Sequence, residues 1–303
     1  MNAYLRGLRL ERWPRSGAIF IGSAAFFFLY PDFFQRFRAS SLVLRAGLSF
    51  LLTWFISTAN YIINEMADAP YDIHHPTKRY RPLVRGEIKK LPFAFLGILL
   101  TLLSLFFAFL AFPLPFFFSL LALLAAGFIY NLKPVRTKDI PFLDSISESA
   151  NNPIRFLIGW FAFSPSSLLP PLSLLISWWA FGNFLMIAKR LSEFRFLKDK
   201  AGDYRTSHKK YSKNSLLLGM TASALIFFLA YFFFAFTFKL QYFVYVSPFL
   251  FLYLFFIFRK TLKEKEVMEE PEKLLLQPKF ALYTLLLVII YLAFFFFNRA
   301  GRG

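Results

Sequence analysis

Long apolar runs alternate with short polar breaks along all 303 residues. About 20 residues of helix suffice to cross a hydrocarbon core, which predicts spans near 17-34, 40-64, 92-112, 114-131, 145-164, 169-189, 215-238, 241-258 and 279-298. The first of these is short and the fifth is polar. Because the apolar runs are continuous and do not alternate residue by residue, a membrane β-barrel is excluded. The expected architecture is all-α, a polytopic membrane protein of about nine transmembrane helices forming a single domain over 1-303.

Charge then orients this pattern. Segments 1-16, 65-91, 132-144, 190-214 and 259-278 are rich in Lys and Arg, whereas Pro113 and the links 164-167 and 237-241 carry only Lys239; Arg36 and Arg38 are the main exception. Such alternation predicts a cytoplasmic N-terminus and an outside C-terminus in the plasma (inner) membrane. A composition that is 57% hydrophobic with 45 Phe agrees, since soluble domains hold roughly 45–50% apolar residues. The net charge of +18 then reports topology and attraction to headgroups or phosphates, and nucleic acid is not an expected partner. No cysteine is present, which excludes disulfides and thiol catalysis.

The N-terminal segment reads as an interfacial helix before a retained first span. Arg6, Arg9, Arg12 and Arg15 would meet headgroups while Leu5, Leu8, Leu10 and Trp13 enter the interface. An ordinary positive-inside flank would look the same. The run 259-278 mixes signs and reads as a solvated helical hairpin without chemistry.

Three other polar breaks carry more than a connector needs. The stretch NEMADAPYDIHHPTKRYRPLVRG sets Asn64, Asp68 and Asp72 four residues apart, with Glu65 beside them, and follows with His74, His75, Lys78, Arg79, Arg81 and Arg85. Asn64 and Asp68 share a helix face, and Pro70 is expected to end or kink that helix before Asp72. Two adjacent His diverge on regular elements, so zinc is not expected there. The second break places Lys133, Arg136, Lys138 and Asp139 before Asp144, Glu148, Asn151, Asn152 and Arg155. The latter share one side of a helix entering the membrane, where ionisable groups face a cavity or each other. Arg45, inside the second span, is a candidate partner for one of these acids. The third break opens with Lys189, Arg190 and Glu193, either an i,i+4 pair between Lys189 and Glu193 or a phosphate-holding cluster; Arg205, His208, Lys209 and Lys210 read as a solvated loop.

Acids beside bases suit a metal-bound diphosphate. Magnesium takes one or two carboxylates plus phosphate oxygens and water, which Asp68, Asp72 and Asp144 with Asn64 can supply, while Lys78, Arg79 and Arg81 neutralise a departing diphosphate. Gly-rich P-loop, H-E-x-x-H and EF-hand patterns are absent. A transporter using Asp144, Glu148 and Arg155 as an ion path is the non-enzymatic alternative.

The pattern N-E-x-x-D-x-x-x-D followed by H-P-T-K-R-Y-R-P resembles the first signature of the UbiA-type intramembrane prenyltransferase superfamily, usually N-D-x-x-D-x-x-x-D. The resemblance implies a nine-helix bundle with an aspartate-rich cytoplasmic active site and a lipid-facing cavity. HPTKRYRP, the Lys-Pro to Asp144 pattern and KRLSEF from Lys189 are similar to the decaprenyl-phosphate phosphoribosyltransferase branch, which implies Mg2+, a diphosphate-bearing donor and a polyprenyl lipid. By that resemblance Asn64, Asp68, Asp72 and Asp144 hold metal, Lys78, Arg79, Arg81, Lys189 and Arg190 hold phosphate, and Glu65, Glu148, Asn152, Arg155 and Glu193 line the pocket. A prenyl diphosphate with an aromatic or quinone-precursor acceptor would use the same residues. Three departures stand out: Glu65 for the usual Asp, Asp139 and Asp144 five apart, and SESANNPIR where a glycine-rich stretch is expected.

Overall fold

The longest helix sets the geometry. In a computed structural model, which describes residues 3–73, 78–197, 206–263 and 277–300, one helix of 34 residues runs Ala39–Asp72. At 1.5 Å per residue it is about 51 Å long, against a hydrocarbon core of about 30 Å. The surplus carries Asn64, Asp68 and Asp72 out of the apolar layer. Pro70 lies inside this helix, which ends at Asp72 with Ile73 as its C-cap. The expectation that Pro70 would end the helix before Asp72 is therefore corrected. Pro70 forfeits a single bond to the Met66 carbonyl, and Ala69 beside it packs into a cluster with Ile62, Leu83, Ile88 and Phe93 that holds the last turn.

In chain order the α-helices are α1 (Ala3–Gly7), α2 (Ile19–Leu29), α3 (Asp32–Gln35), α4 (Ala39–Asp72), α5 (Lys90–Ala111), α6 (Leu114–Asn131), α7 (Leu143–Ser149), α8 (Asn151–Phe161), α9 (Leu172–Leu197), α10 (Lys213–Thr237), α11 (Gln241–Lys263) and α12 (Pro278–Ala300). Short 3-10 turns cover Leu10–Ala18, Lys78–Tyr80, Thr137–Asp139 and Thr206–Lys210. Every regular element among the described residues is helical.

Among the described residues six helices, α4, α5, α6, α9, α10 and α11, are long and apolar enough to span a bilayer. The region expected near 279-298 corresponds to α12, a helix of 23 residues over Pro278–Ala300. Region 17-34 is built from the end of a 3-10 turn, the 11-residue α2 and α3. Region 145-164 is divided between α7 and α8. An 11-residue helix is only about 16 Å long. Most of the proposed hairpin at 259-278 lies outside the described residues; α11 continues to Lys263.

The chain divides into two compact units, Met1–Pro170 and Pro171–Gly303. In the first, α4 packs on α5 and α6 while α2 crosses α8. That crossing is very close. A Cβ on Gly22 would lie 2.0 Å from the Phe156 carbonyl oxygen, and one on Gly159 would lie 1.7 Å from that of Ile19. Ser23 Oγ donates to the Gly159 carbonyl at 2.8 Å, the small-residue contact that membrane helices use in place of hydrophobic burial. Arg45 Nε donates to the Ala162 carbonyl at 2.8 Å, with its guanidinium 5.0 Å from the Phe112 ring centroid. It thus satisfies a carbonyl at the α8 C-terminus and pairs with none of the acids considered for it.

In the second unit α9 packs mainly on α10. Asn183 Nδ2 donates to Ser223 Oγ at 2.9 Å across that contact. Further along α10, Tyr231 donates to the Phe243 carbonyl at 2.7 Å and meets the Tyr291 hydroxyl at 2.7 Å. These bonds join polar groups of neighbouring apolar helices, where burial in hydrocarbon favours a partner.

Candidate active site

The end of α4 presents two polar faces. Residues 64, 68 and 72 recur at i, i+4 and i+8, drifting by a few tens of degrees per step, so Asp72 stands near the line of Glu65 while Asn64 and Asp68 look toward α6. On the α6 side, Asn64 Nδ2 donates to Asn131 Oδ1 at 2.6 Å. Asn131 is fixed in turn by its own donation to the Gly127 carbonyl at 2.9 Å. The same Asn131 oxygen accepts from Lys138 Nζ at 3.1 Å. Lys138 also ion-pairs with Asp68 Oδ1.

Arg136 completes that face. Its Nη2 reaches Asp68 Oδ1 at 3.2 Å, its Nε lies 2.8 Å from Asp139 Oδ2, and its guanidinium stands 4.9 Å from the Tyr71 ring centroid. Nη1 lies 3.4 Å from the carbonyl oxygens of both Ala67 and Asn131. The backbone at Arg136 is left-handed, φ 32, which turns the chain sharply after α6 and brings Arg136 and Lys138 back over α4.

The other face of α4 meets the segment after it. Arg81 pairs with Asp72, and Asp72 is 5% exposed. Glu65, one residue from Asn64, is 1% exposed and belongs to this second face. It pairs with Arg9 of the N-terminal segment at 3.5 Å. Burial, then the like charges of Arg81 and Arg12, push the Arg9 guanidinium down to about 10, so it remains charged at neutral pH. Arg79 is exposed and donates to the Tyr80 hydroxyl at 2.7 Å. Glu87, further along this segment, takes Arg6 at 2.5 Å and Arg85 at 3.2 Å. His74 and His75, and the side chain of Lys78, lie outside the described residues.

The second polar break sits against the same face of the first unit. Asp144 is wholly buried in the first turn of α7, and α7 packs on the Thr137–Asp139 turn that carries Lys138. Thr137 Oγ1 and Ser147 Oγ, 2.8 Å apart, tie the two. Glu148 accepts from the Tyr130 hydroxyl at 3.0 Å, and its carbonyl accepts from Asn151 Nδ2 at 3.0 Å. Asn152 and Arg155 follow half-buried on α8.

In the second unit Arg190 is wholly buried, with Nη1 3.1 Å from Glu193 Oε2. His208 Nε2 reaches the same oxygen at 3.0 Å and the ring is 2% exposed. The reading of His208 as part of a solvated loop is therefore corrected: Glu193 draws it inside. Lys189 precedes Arg190 on α9.

Sequence reasoning underweighted Arg136, Lys138, Asn131 and Arg9. The signal was present in part, because Arg136 and Lys138 stand just before the acids of the second break. Asn131 and Arg9 have no spacing that marks them.

The donor set at the end of α4 fits magnesium. Among the described residues no three acidic or histidine side chains converge into a preformed metal site, but a metal that takes one or two carboxylates and fills its shell with phosphate and water needs none. Asp68 and Asp72 are such carboxylates, and the Asn64 bond to Asn131 uses the amide nitrogen and leaves the carbonyl oxygen as a donor. Beside them lies an apolar groove of about 500 Å³, lined by Ala59, Ile62, Met66, Ala67, Gly97 and Phe128 among others. It begins one residue from Asp68.

Residues 18–276 match the UbiA prenyltransferase family. The chain is 24% identical over 191 residues to decaprenyl-phosphate phosphoribosyltransferase of Mycobacterium tuberculosis, covering 62% of this chain and 60% of that protein. It is 25% identical over 182 residues to the protein of the same name from Mycolicibacterium smegmatis, covering 59% and 54%. The chain thus matches less than two thirds of the length of these curated relatives. Among solved structures, a UbiA homolog from Archaeoglobus fulgidus bound to GPP and Mg2+ has a TM-score of 0.68 at 21% identity, over 97% of this chain and 99% of that one. A digeranylgeranylglyceryl phosphate synthase has a TM-score of 0.62 at 16% identity, over 97% and 96%. At these identities the structures establish the fold.

Proposed function

The chain belongs to the UbiA prenyltransferase family, and from that premise we propose that it is a magnesium-dependent transferase moving 5-phosphoribose from phosphoribosyl diphosphate to a polyprenyl phosphate. The observation that carries this reading is the charge arrangement on α4: among the described residues, Asp68 and Asp72 are matched by the cations Arg136, Lys138 and Arg81, drawn from two separate connections. A metal-bound diphosphate supplies both signs at once, metal for the carboxylates and phosphate oxygens for the cations. The phosphoribosyl choice over a prenyl donor is supported by the similarity to the mycobacterial relatives named for that reaction.

Asn64, Asp68 and Asp72 would hold the metal, with Asp144 a further candidate from α7. When bound, magnesium would offset the charge that develops on the departing diphosphate. Arg81, Arg136 and Lys138 do the same from the protein side, and guanidinium can grip two phosphate oxygens at once. Lys78 and Arg79 are proposed as additional phosphate contacts. The bond from the ribose C1 to diphosphate oxygen breaks, and one from C1 to an oxygen of the polyprenyl phosphate forms. That acceptor is anionic at neutral pH, so the protein must position it more than deprotonate it. Its chain would lie in the groove at Ala67 and Gly97.

A second reading is a prenyl diphosphate donor with an aromatic or quinone-precursor acceptor, favoured by the fold shared with the homolog bound to GPP. The test is purified protein in lipid nanodiscs with magnesium and either substrate pair. Formation of a phosphoribosylated lipid and free diphosphate supports the first reading. Product only from prenyl diphosphate and the aromatic acceptor overturns it. The transporter alternative loses ground to family membership and to the Tyr130 bond that engages Glu148.

A further inference from the structure

The N-terminal segment, expected to spread its arginines over headgroups, engages three of them with neighbouring side chains. Arg6 reaches Glu87 at 2.5 Å, Arg12 stands 5.7 Å from the Tyr61 ring centroid, and Arg9 reaches Glu65 at 3.5 Å. Leu8 and Tyr4 pack with Ile62, Ala69, Leu83, Ile88 and Phe93. Arg9 itself adopts a left-handed backbone, φ 51 and ψ 47, a conformation that side chains other than glycine seldom take. The turn aims its guanidinium at α4, where its side chain is only 14% exposed.

Glu65 is the hub of this contact. One carboxylate oxygen, Oε1, is buried without a hydrogen-bond partner, so the group sits where burial is costly and its remaining contacts must hold it. Those contacts come from two directions. Arg9 approaches from the N-terminal segment at 3.5 Å, and Leu83, on the connection between α4 and α5, packs in one cluster with Ile62 and Ala69 of α4 and with Tyr4 and Leu8 beside Arg9. Leu83 is two residues beyond Arg81, whose guanidinium pairs with Asp72. A fixed Leu83 fixes the base from which Arg81 swings.

We propose that Arg9 and Glu65 are positioning residues for the donor site, acting through Leu83 on Arg81, so that the N-terminal segment forms part of that site. Arg81 must leave Asp72 when a metal-bound diphosphate arrives, and with Leu83 held the exchange is a movement of one side chain. Without the hold, the whole connection has to be reordered on binding. The cost then falls on donor affinity and leaves the acceptor untouched. This inference rests on the reading of Asp68 and Asp72 as the diphosphate site.

The test compares Arg9→Gln, Arg9→Lys and Glu65→Asp in the full-length protein, measuring KM for donor and acceptor separately from kcat, and backbone hydrogen exchange at 81–88. By analogy with partners that orient charged ligand-binding groups, Arg9→Gln should raise donor KM about tenfold, with acceptor KM unchanged and kcat nearly so. Exchange at Arg85, Gly86 and Glu87, whose amides bond back to Arg81, Leu83 and Pro82, should accelerate, and Arg9→Lys should recover most of both effects. Glu65→Asp shortens the arm and should show the same split more mildly, which keeps the test available if Arg9→Gln fails to fold. Unchanged donor KM with unchanged exchange overturns the proposal. So does faster exchange with donor KM unchanged, or a loss confined to kcat. If neither substrate pair turns over in the unaltered protein, magnesium-dependent binding of inorganic diphosphate replaces KM. No diphosphate binding by the unaltered protein refutes the site reading, whereas normal binding by Arg9→Gln refutes the positioning role alone.

Discussion

Two carboxylate clusters, one in each unit, use the same chemistry and differ in where their cations come from. At Asp68 and Asp72 the partners Arg136, Lys138 and Arg81 stand on connections outside α4. At Glu193 one partner is Arg190, one turn away on the same helix, with His208 closing from a short 3-10 turn. A pair within one helix is held by the helix itself, and separating it leaves a buried charge unmatched. A pair between a helix end and a connection can open by moving the connection. The first cluster is therefore suited to exchange its partners for a ligand, and the second to hold α9 to the chain that follows it.

The largest expected effect tests the exchange directly. Asp68→Asn and Asp72→Asn should each lower turnover by about a thousandfold or more, the scale of losing a main electrostatic contribution to catalysis, while the melting temperature stays within a few degrees. Unchanged turnover in both would end the metal assignment. Glu193→Gln should act the other way. Breaking a buried pair from one side costs about 3–5 kcal/mol, toward the lower end here because Glu193 retains 9% exposure. Melting should drop well before kcat/KM does, and a variant that melts normally but loses donor binding would move Glu193 and Arg190 into the catalytic class. Lys138→Ala should be milder, lowering kcat/KM about tenfold, which is about 1.4 kcal/mol. Because it removes a competitor for Asp68, the magnesium concentration for half-maximal activity should fall or hold steady. A rise would mean that Lys138 orders the metal site instead of competing with it.

The fold was legible because its signals are long. Continuous apolar runs and alternating basic flanks mark the helices at α4, α5, α6, α9, α10 and α11 without any knowledge of contacts. Asn64, Asp68 and Asp72 were legible for a related reason, since their four-residue spacing makes them neighbours on any helix. What stayed hidden depends on tertiary partners. Pro70 looks like a terminator until Ala69 is seen packed near Leu83 and Ile88. Arg9 looks like one of four interfacial arginines until the left-handed turn aims it at Glu65, and nothing in the spacing of Glu65 says that Arg9 is its partner. Spacing states which residues share a face; it does not state what that face meets.

The smallest expected effect concerns what the first cluster opens onto. Gly97 lies on α5 opposite Ile62, and a Cβ placed there would meet Ile62 Cγ2 at 3.4 Å, an ordinary contact. Alanine should therefore be tolerated, whereas Gly97→Leu would place three further carbons in a groove of about 500 Å³ that begins beside Ala67. If a polyprenyl chain lies in that groove, leucine should raise KM for a long-chain acceptor severalfold, in line with the 10-fold to 200-fold that about 1–3 kcal/mol per methylene can produce in a rigid apolar pocket, reduced here because the groove is open. A short-chain acceptor that does not reach Gly97 should be unaffected, and so should the donor. Equal effects on both acceptors would instead mean that the bulk is transmitted through Ile62 to α4. The groove would then be only lipid-facing surface, and the difference between the two clusters would rest on their charges alone.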